Sequence, residues 1–159
     1  MRRTPIMSAA VVVAAGALAA GCASDDDVAS GRAELRFSVT NGVRANPTLV
    51  DALQGAIYGD LFLAEDVNLT GPIDGARQFG YVELPAVDLR TAGAESAPWT
   101  SAPLAAGTYV FLGFFDLDGN GAAGDPDPGD PVTLPVTNKF TIVGGDIVQL
   151  SAQFYLVLN

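Results

Sequence analysis

Apolar residues fall at every second position through Glu34-Leu35-Arg36-Phe37-Ser38-Val39-Thr40. That is the alternation of a strand with one buried face. The end of the chain repeats it, with Val148, Leu150, Ala152, Phe154, Leu156 and Leu158 on one side and Gln149, Ser151 and Gln153 on the other. Further β-like runs cover Ala56–Ala64, Arg77–Leu84, Pro98–Leu104, Thr108–Phe115 and Lys139–Val143, separated by Gly, Pro, Asn and Asp clusters that serve as turns. The Thr108–Phe115 run is apolar on both faces, which predicts a central strand packed on two sides. Gly144-Gly145-Asp146 predicts a tight hairpin between the last two strands. One short helix is expected over Pro47–Leu53, with Asn46 as cap and Pro47 in the first turn, or else a loop there. About seven strands with almost no helical pattern predict an all-β, antiparallel Greek-key β-sandwich, with a small β-barrel as the alternative. This domain is expected to fill residues 32–159.

The first 21 residues follow another rule. Arg2 and Arg3 precede an uncharged, mostly apolar run from Thr4 to Gly21, the basic and apolar regions of a signal peptide. A spanning helix needs about 20 apolar residues, so length does not decide; the small residues Ala19-Ala20-Gly21 before Cys22 do. Leu18-Ala19-Ala20-Gly21-Cys22 resembles the bacterial lipobox, with leucine one place earlier than the family prefers. The resemblance implies cleavage before Cys22 and acylation of its thiol. Cys22 is the only cysteine, so it has no disulfide partner within the chain. Two or three acyl chains give stable anchoring, which makes a membrane the expected partner. By the same resemblance, Ala23 after the cysteine points to the outer membrane of a two-membrane bacterium, on its periplasmic or surface face. Residues 22–31 are small and acidic and read as a flexible tether.

Charge narrows the partners. The chain has 18 acidic and 8 basic residues, a net charge of −10, and no histidine. Arg2 and Arg3 leave with the signal peptide and no acidic residue does, so the mature part is more acidic still. Such a surface gains nothing by counterion release, and nucleic acid is excluded as a partner. It favours cations. A protein or carbohydrate partner is not named by the sequence.

One acidic segment stands out: Asp116-Leu117-Asp118-Gly119-Asn120-Gly121, followed by Asp125, Asp127 and Asp130. Oxygen-bearing side chains at the first, third and fifth places and glycine at the sixth suit calcium, which takes about 6–8 oxygens. The segment resembles the first half of an EF-hand loop, D-x-D-x-N-G. Its twelfth place holds Asp127 instead of glutamate, and a strand enters it, so it resembles the calcium loops of other scaffolds more than an EF-hand. The expected Ca2+ ligands are Asp116, Asp118 and Asn120 by side chain, Ala122 by carbonyl, and one or more of Asp125, Asp127 and Asp130. The alternative is a solvated acidic turn, since Asp, Asn, Gly and Pro serve any surface loop.

A wider likeness spans Ala102 to Val143. Leu104-Ala105-Ala106-Gly107-Thr108-Tyr109-Val110, the acidic turn and Gly129-Asp130-Pro131 together resemble prealbumin-like sandwich modules, among them the carboxypeptidase regulatory-like domains. That resemblance implies a seven-stranded Greek key and a non-enzymatic role. Catalytic chemistry is thin in the residues themselves. Without histidine there is no imidazole base for a serine or cysteine nucleophile, and nothing in the sequence sets two of Glu34, Glu65, Glu83 and Glu95 across a cleft. Trp99, Tyr58 and Tyr81 offer a possible carbohydrate-stacking platform, against the commoner role of core or edge aromatics.

Overall fold

The computed structural model describes residues 30–49, 51–121 and 124–159. The expected signal peptide, Cys22, nearly all of the expected tether and Ala122 lie outside the described residues. The elements run β1 (Arg32–Val39), α1 (Asn41–Arg44), β2 (Gln54–Leu63), β3 (Val67–Asn68), β4 (Gly71–Pro72), β5 (Gln78–Asp88), β6 (Trp99–Thr100), β7 (Gly107–Asp116), β8 (Pro131–Val132), β9 (Lys139–Ile142), β10 (Ile147–Phe154) and β11 (Leu156–Val157). One sheet has the order β10-β1-β6; the larger has β11-β8-β7-β2-β5, with β9 also on β7; β3 and β4 form a small hairpin. The sheets are open and no barrel closes among the described residues. The protein is an all-β sandwich.

The core lies between the two sheets. Leu35 and Phe37 of β1 and Phe154 of β10 meet Ile57 and Leu61 of β2 and Phe111 and Phe115 of β7, all of them fully buried. The Phe37 and Phe111 rings stand 4.9 Å apart and those of Phe115 and Phe154 5.9 Å apart, so aromatic contacts bridge the layers. Gly59 and Gly113 face each other across β2 and β7. A Cβ on either would strike both the opposite backbone and the Phe111 ring, which lies over the notch the two glycines leave. Tyr109 is 1% exposed, and its hydroxyl donates to the Ala105 carbonyl at 3.0 Å. This is the physical content of the Gly107-x-Tyr109 pattern: a buried phenol satisfied by the turn that leads into its own strand.

Several expectations need correction. β1 and β10 pair in parallel, in register from Arg32 with Ile147 to Val39 with Phe154; side-chain alternation is blind to strand direction. Gly144-Gly145 does form a turn, with Gly145 at φ +85°, but it carries the chain from β9 in one sheet to β10 in the other and makes no hairpin. The sequence alternation runs on to Leu158, but the pairing with β1 ends at Phe154: the Tyr155 N–H donates to the Val132 carbonyl at 2.9 Å as the chain crosses to the larger sheet. The helix sits at Asn41–Arg44, capped by Thr40. Asn46 instead accepts from the Thr48 N–H at 3.1 Å and closes an Asx turn. The strand expected over Pro98–Leu104 shrinks to two residues. Beside it, the Ser96 and Ser101 hydroxyls accept from the Phe37 and Ala33 N–H groups at 3.0 and 2.9 Å, standing in for a longer strand along that edge of β1.

Candidate functional site

β7 ends at Asp116, and the acidic loop is built around that carboxylate. Asp116 is 1% exposed; its Oδ1 accepts from the Gly119 N–H at 2.8 Å and its Oδ2 from the Gly121 N–H at 3.0 Å. Asp130, 2% exposed, closes the far side, with Oδ1 accepting from the Leu117 N–H and Oδ2 from the Asp127 N–H, both at 3.2 Å. Burial pushes the Asp130 carboxyl above its ordinary value; the two backbone donors pull it back, and the charges of Asp127 and Asp116 push it up again. These two carboxylates act as the loop's internal staples. The tight turn falls at Gly119, at φ +83°. Gly121 at the sixth place answers a different need: a Cβ there would lie 2.6 Å from the Phe114 ring and 3.0 Å from the Asp116 side chain.

On the outside, Asp118, Asn120 and Asp127 come together. The Asn120 side-chain nitrogen donates to Asp118 Oδ2 at 2.9 Å and to Asp127 Oδ2 at 2.6 Å, so one amide bridges two carboxylates. Asp125 lies apart and exposed, toward a neighbouring groove. Of the seven expected ligands, the structure thus joins three at the surface and engages Asp116 and Asp130 with backbone donors. Ala122 lies outside the described residues. Among the described residues no three acidic side chains converge as a metal-holding group.

The groove beyond the loop was not expected. It has a volume of about 600 Å³ and lies on the face of the larger sheet that points away from the sandwich core. Strand alternation sends Ile57, Gly59 and Leu61 inward, so Tyr58, Asp60 and Phe62 point outward. Across the ladder, Asp60 stands between Tyr81 and Leu112, and Tyr58 between Glu83 and Phe114. The Tyr58 and Phe114 rings are 5.7 Å apart. Asp60 is half-buried and accepts from the Gln78 amide at 3.2 Å; burial pushes its carboxyl above the ordinary value. Tyr81 is 52% exposed, and the β3–β4 hairpin brings Leu69, 80% exposed, to one wall. Asp60 and Asp125 both line the groove, so one cleft does join two acidic side chains.

The aromatic trio read from the sequence is divided. Tyr58 and Tyr81 share this groove, whereas Trp99 packs against the core on the other side of the sheet, near Gly80 and partly covered. The signal for Asp60 was its place as the lone charge within the apolar run Ala56–Ala64. Comparison of the chain with protein-family models, with curated proteins and with solved structures found no match.

Proposed function

We propose that the protein is a lipid-anchored, non-enzymatic binding or structural module, held at a membrane face through Cys22, whose Asp116–Asp130 loop takes a weakly bound calcium ion. The observation that carries the calcium reading is the Asn120 amide held between Asp118 and Asp127. A half-turn of that amide exchanges its nitrogen for its oxygen and leaves three side-chain oxygens in one place, a donor set for a hard cation. The fit is therefore partial: Asp118, Asn120 and Asp127 would hold the ion, while Asp116 and Asp130 keep the loop in shape. Affinity on the order of 10⁻⁴–10⁻³ M, as in extracellular modules, is in keeping with so small a set.

The anchor rests on Leu18–Cys22, and the non-enzymatic role on the lack of histidine and the likeness to prealbumin-like modules. A sugar- or peptide-binding accessory role is the second reading, and the Tyr58–Tyr81 groove is what favours it.

Thermal unfolding of the full chain, in EDTA and then in millimolar calcium, tests the loop. Calcium at about ten times its dissociation constant adds roughly 1.4 kcal/mol, a rise of a few degrees. Asp118→Ala and Asp127→Ala remove that rise and leave the metal-free midpoint nearly unchanged, because their side-chain bonds are exposed. An unchanged midpoint with calcium would return the loop to a solvated turn. Fatty-acid labelling tests the anchor: label retained in Cys22→Ser would overturn it.

A further inference from the structure

The groove on the outer face of the larger sheet combines three features that select a ligand class together. Its floor presents aromatic surface from Tyr58 and Tyr81, with the buried Phe114 ring behind Tyr58. A half-buried carboxylate, Asp60, sits among those rings, with Tyr81 and Leu112 as its cross-strand neighbours. Among the described residues that line the groove there is no Lys or Arg, and the second charge is another carboxylate, Asp125.

We propose that this groove binds a small organic cation of the alkylammonium class, its charge against Asp60 and its alkyl groups against the tyrosine rings. Aromatic faces attract ammonium groups through the negative face of the ring, and the attraction grows when water is displaced. Burial already disfavours the charged form of Asp60, and among the described residues its side-chain partner is the neutral Gln78 amide. A cation completes what that amide leaves undone. Anions meet two like charges here. A neutral saccharide can stack on the rings and donate a hydroxyl to Asp60, but it brings no charge to compensate the half-buried carboxylate, as a cation does. The volume of about 600 Å³ is within the usual range for small-molecule sites, roughly 300–1,000 Å³.

The site is separate from the surface trio Asp118, Asn120 and Asp127, so the two readings fail independently. The test is calorimetric titration of the full chain, in EDTA, with choline and with its neutral isostere 3,3-dimethyl-1-butanol. Choline is expected to bind saturably and the isostere at least about tenfold more weakly. Asp60→Asn keeps the shape and the acceptor for Gln78 but not the charge, and it should weaken choline by about tenfold. Tyr81→Ala, at an exposed position, should do the same, and circular dichroism of both variants establishes that they fold. Vesicles of phosphatidylcholine separate the sources of the cation: binding to free choline alone marks a solute site, and binding to vesicles as well marks one that admits a headgroup. The proposal is overturned if choline shows no saturable binding up to about 10 mM, if the isostere or cellobiose binds as tightly as choline, or if folded Asp60→Asn binds choline unchanged.

Discussion

The two faces of the β2–β7 pair are made by alternate residues of the same two strands, and they are finished in opposite ways. Inward, Ile57, Leu61, Phe111 and Phe115 are wholly excluded from solvent, and the ring of Phe111 takes the space that side chains on the facing glycines Gly59 and Gly113 would need. Outward, Phe62, Val110 and Phe114 are also buried, while Tyr58, Asp60 and Tyr81 remain within reach of solvent. One face is specified by shape and tolerates nothing. The other combines apolar surface with an incompletely solvated charge, a state that lowers stability and suits binding.

The sharpest way to break this contrast is Gly113→Ala. Its new methyl would collide with the Tyr58 carbonyl and the Phe111 ring, and the strands cannot part without losing the core. A loss above about 4 kcal/mol is expected, a large share of a typical domain's stability, read as a lowered urea midpoint or a missing cooperative transition.

Next in size is Asp116→Ala, at the border where the outer face meets the acidic loop. It leaves the Gly119 and Gly121 N–H groups without their acceptor and should cost about 3 kcal/mol by the same measurement, with or without calcium. A loss within about 0.5 kcal/mol would mean that water serves those donors as well as Asp116 does.

Tyr81→Ala, on the open face, should change stability by less than about 0.5 kcal/mol. A large destabilisation would make the groove part of the core in all but name.

The smallest effect is the pH dependence of Asp60→Asn. The folded carboxyl is raised above its unfolded value, so its contribution to stability is fully present below the unfolded pKa and is lost as pH rises through the folded one. The asparagine variant, which never ionises, should therefore be slightly more stable than wild type at pH 7 and equal to it near pH 3. An advantage that grew on acidification would reverse the sign and refute the assigned cause.

Much of the sandwich was legible because alternation reports burial directly. β1, β2, β7 and β9 lie within two residues of their expected limits, and the two-sided apolar run of β7 is indeed flanked by strands and covered on both faces. What alternation cannot carry is the identity of a strand's partner. The parallel β1–β10 pair, the turn at Gly145 that changes sheets and the crossing at Tyr155 all leave the apolar rhythm intact while redirecting hydrogen bonds. The acidic loop was legible as a composition but not as a circuit: nothing in D-x-D-x-N-G says that Asp116 and Asp130 face backbone donors while Asp118 and Asp127 share an amide. The groove was beyond reach for a related reason. Tyr58 and Asp60 belong to β2 and Tyr81 to β5, with the β3–β4 hairpin between them in sequence, and only the ladder makes them neighbours.

The parallel pairing of β1 has a mechanical side. Ser30 and Gly31, the first described residues, lead directly into β1, which runs along β10 for its whole length and holds β6 and two serine hydroxyls on its other edge. A pull on the chain upstream of Ser30 acts along the axis of this middle strand, across hydrogen bonds that lie roughly sideways to the force. Such bonds are loaded in shear and share the strain, whereas an edge strand peeled from its end would give them up one at a time. The domain thus meets tension from its N-terminal side with the strand best placed to resist it.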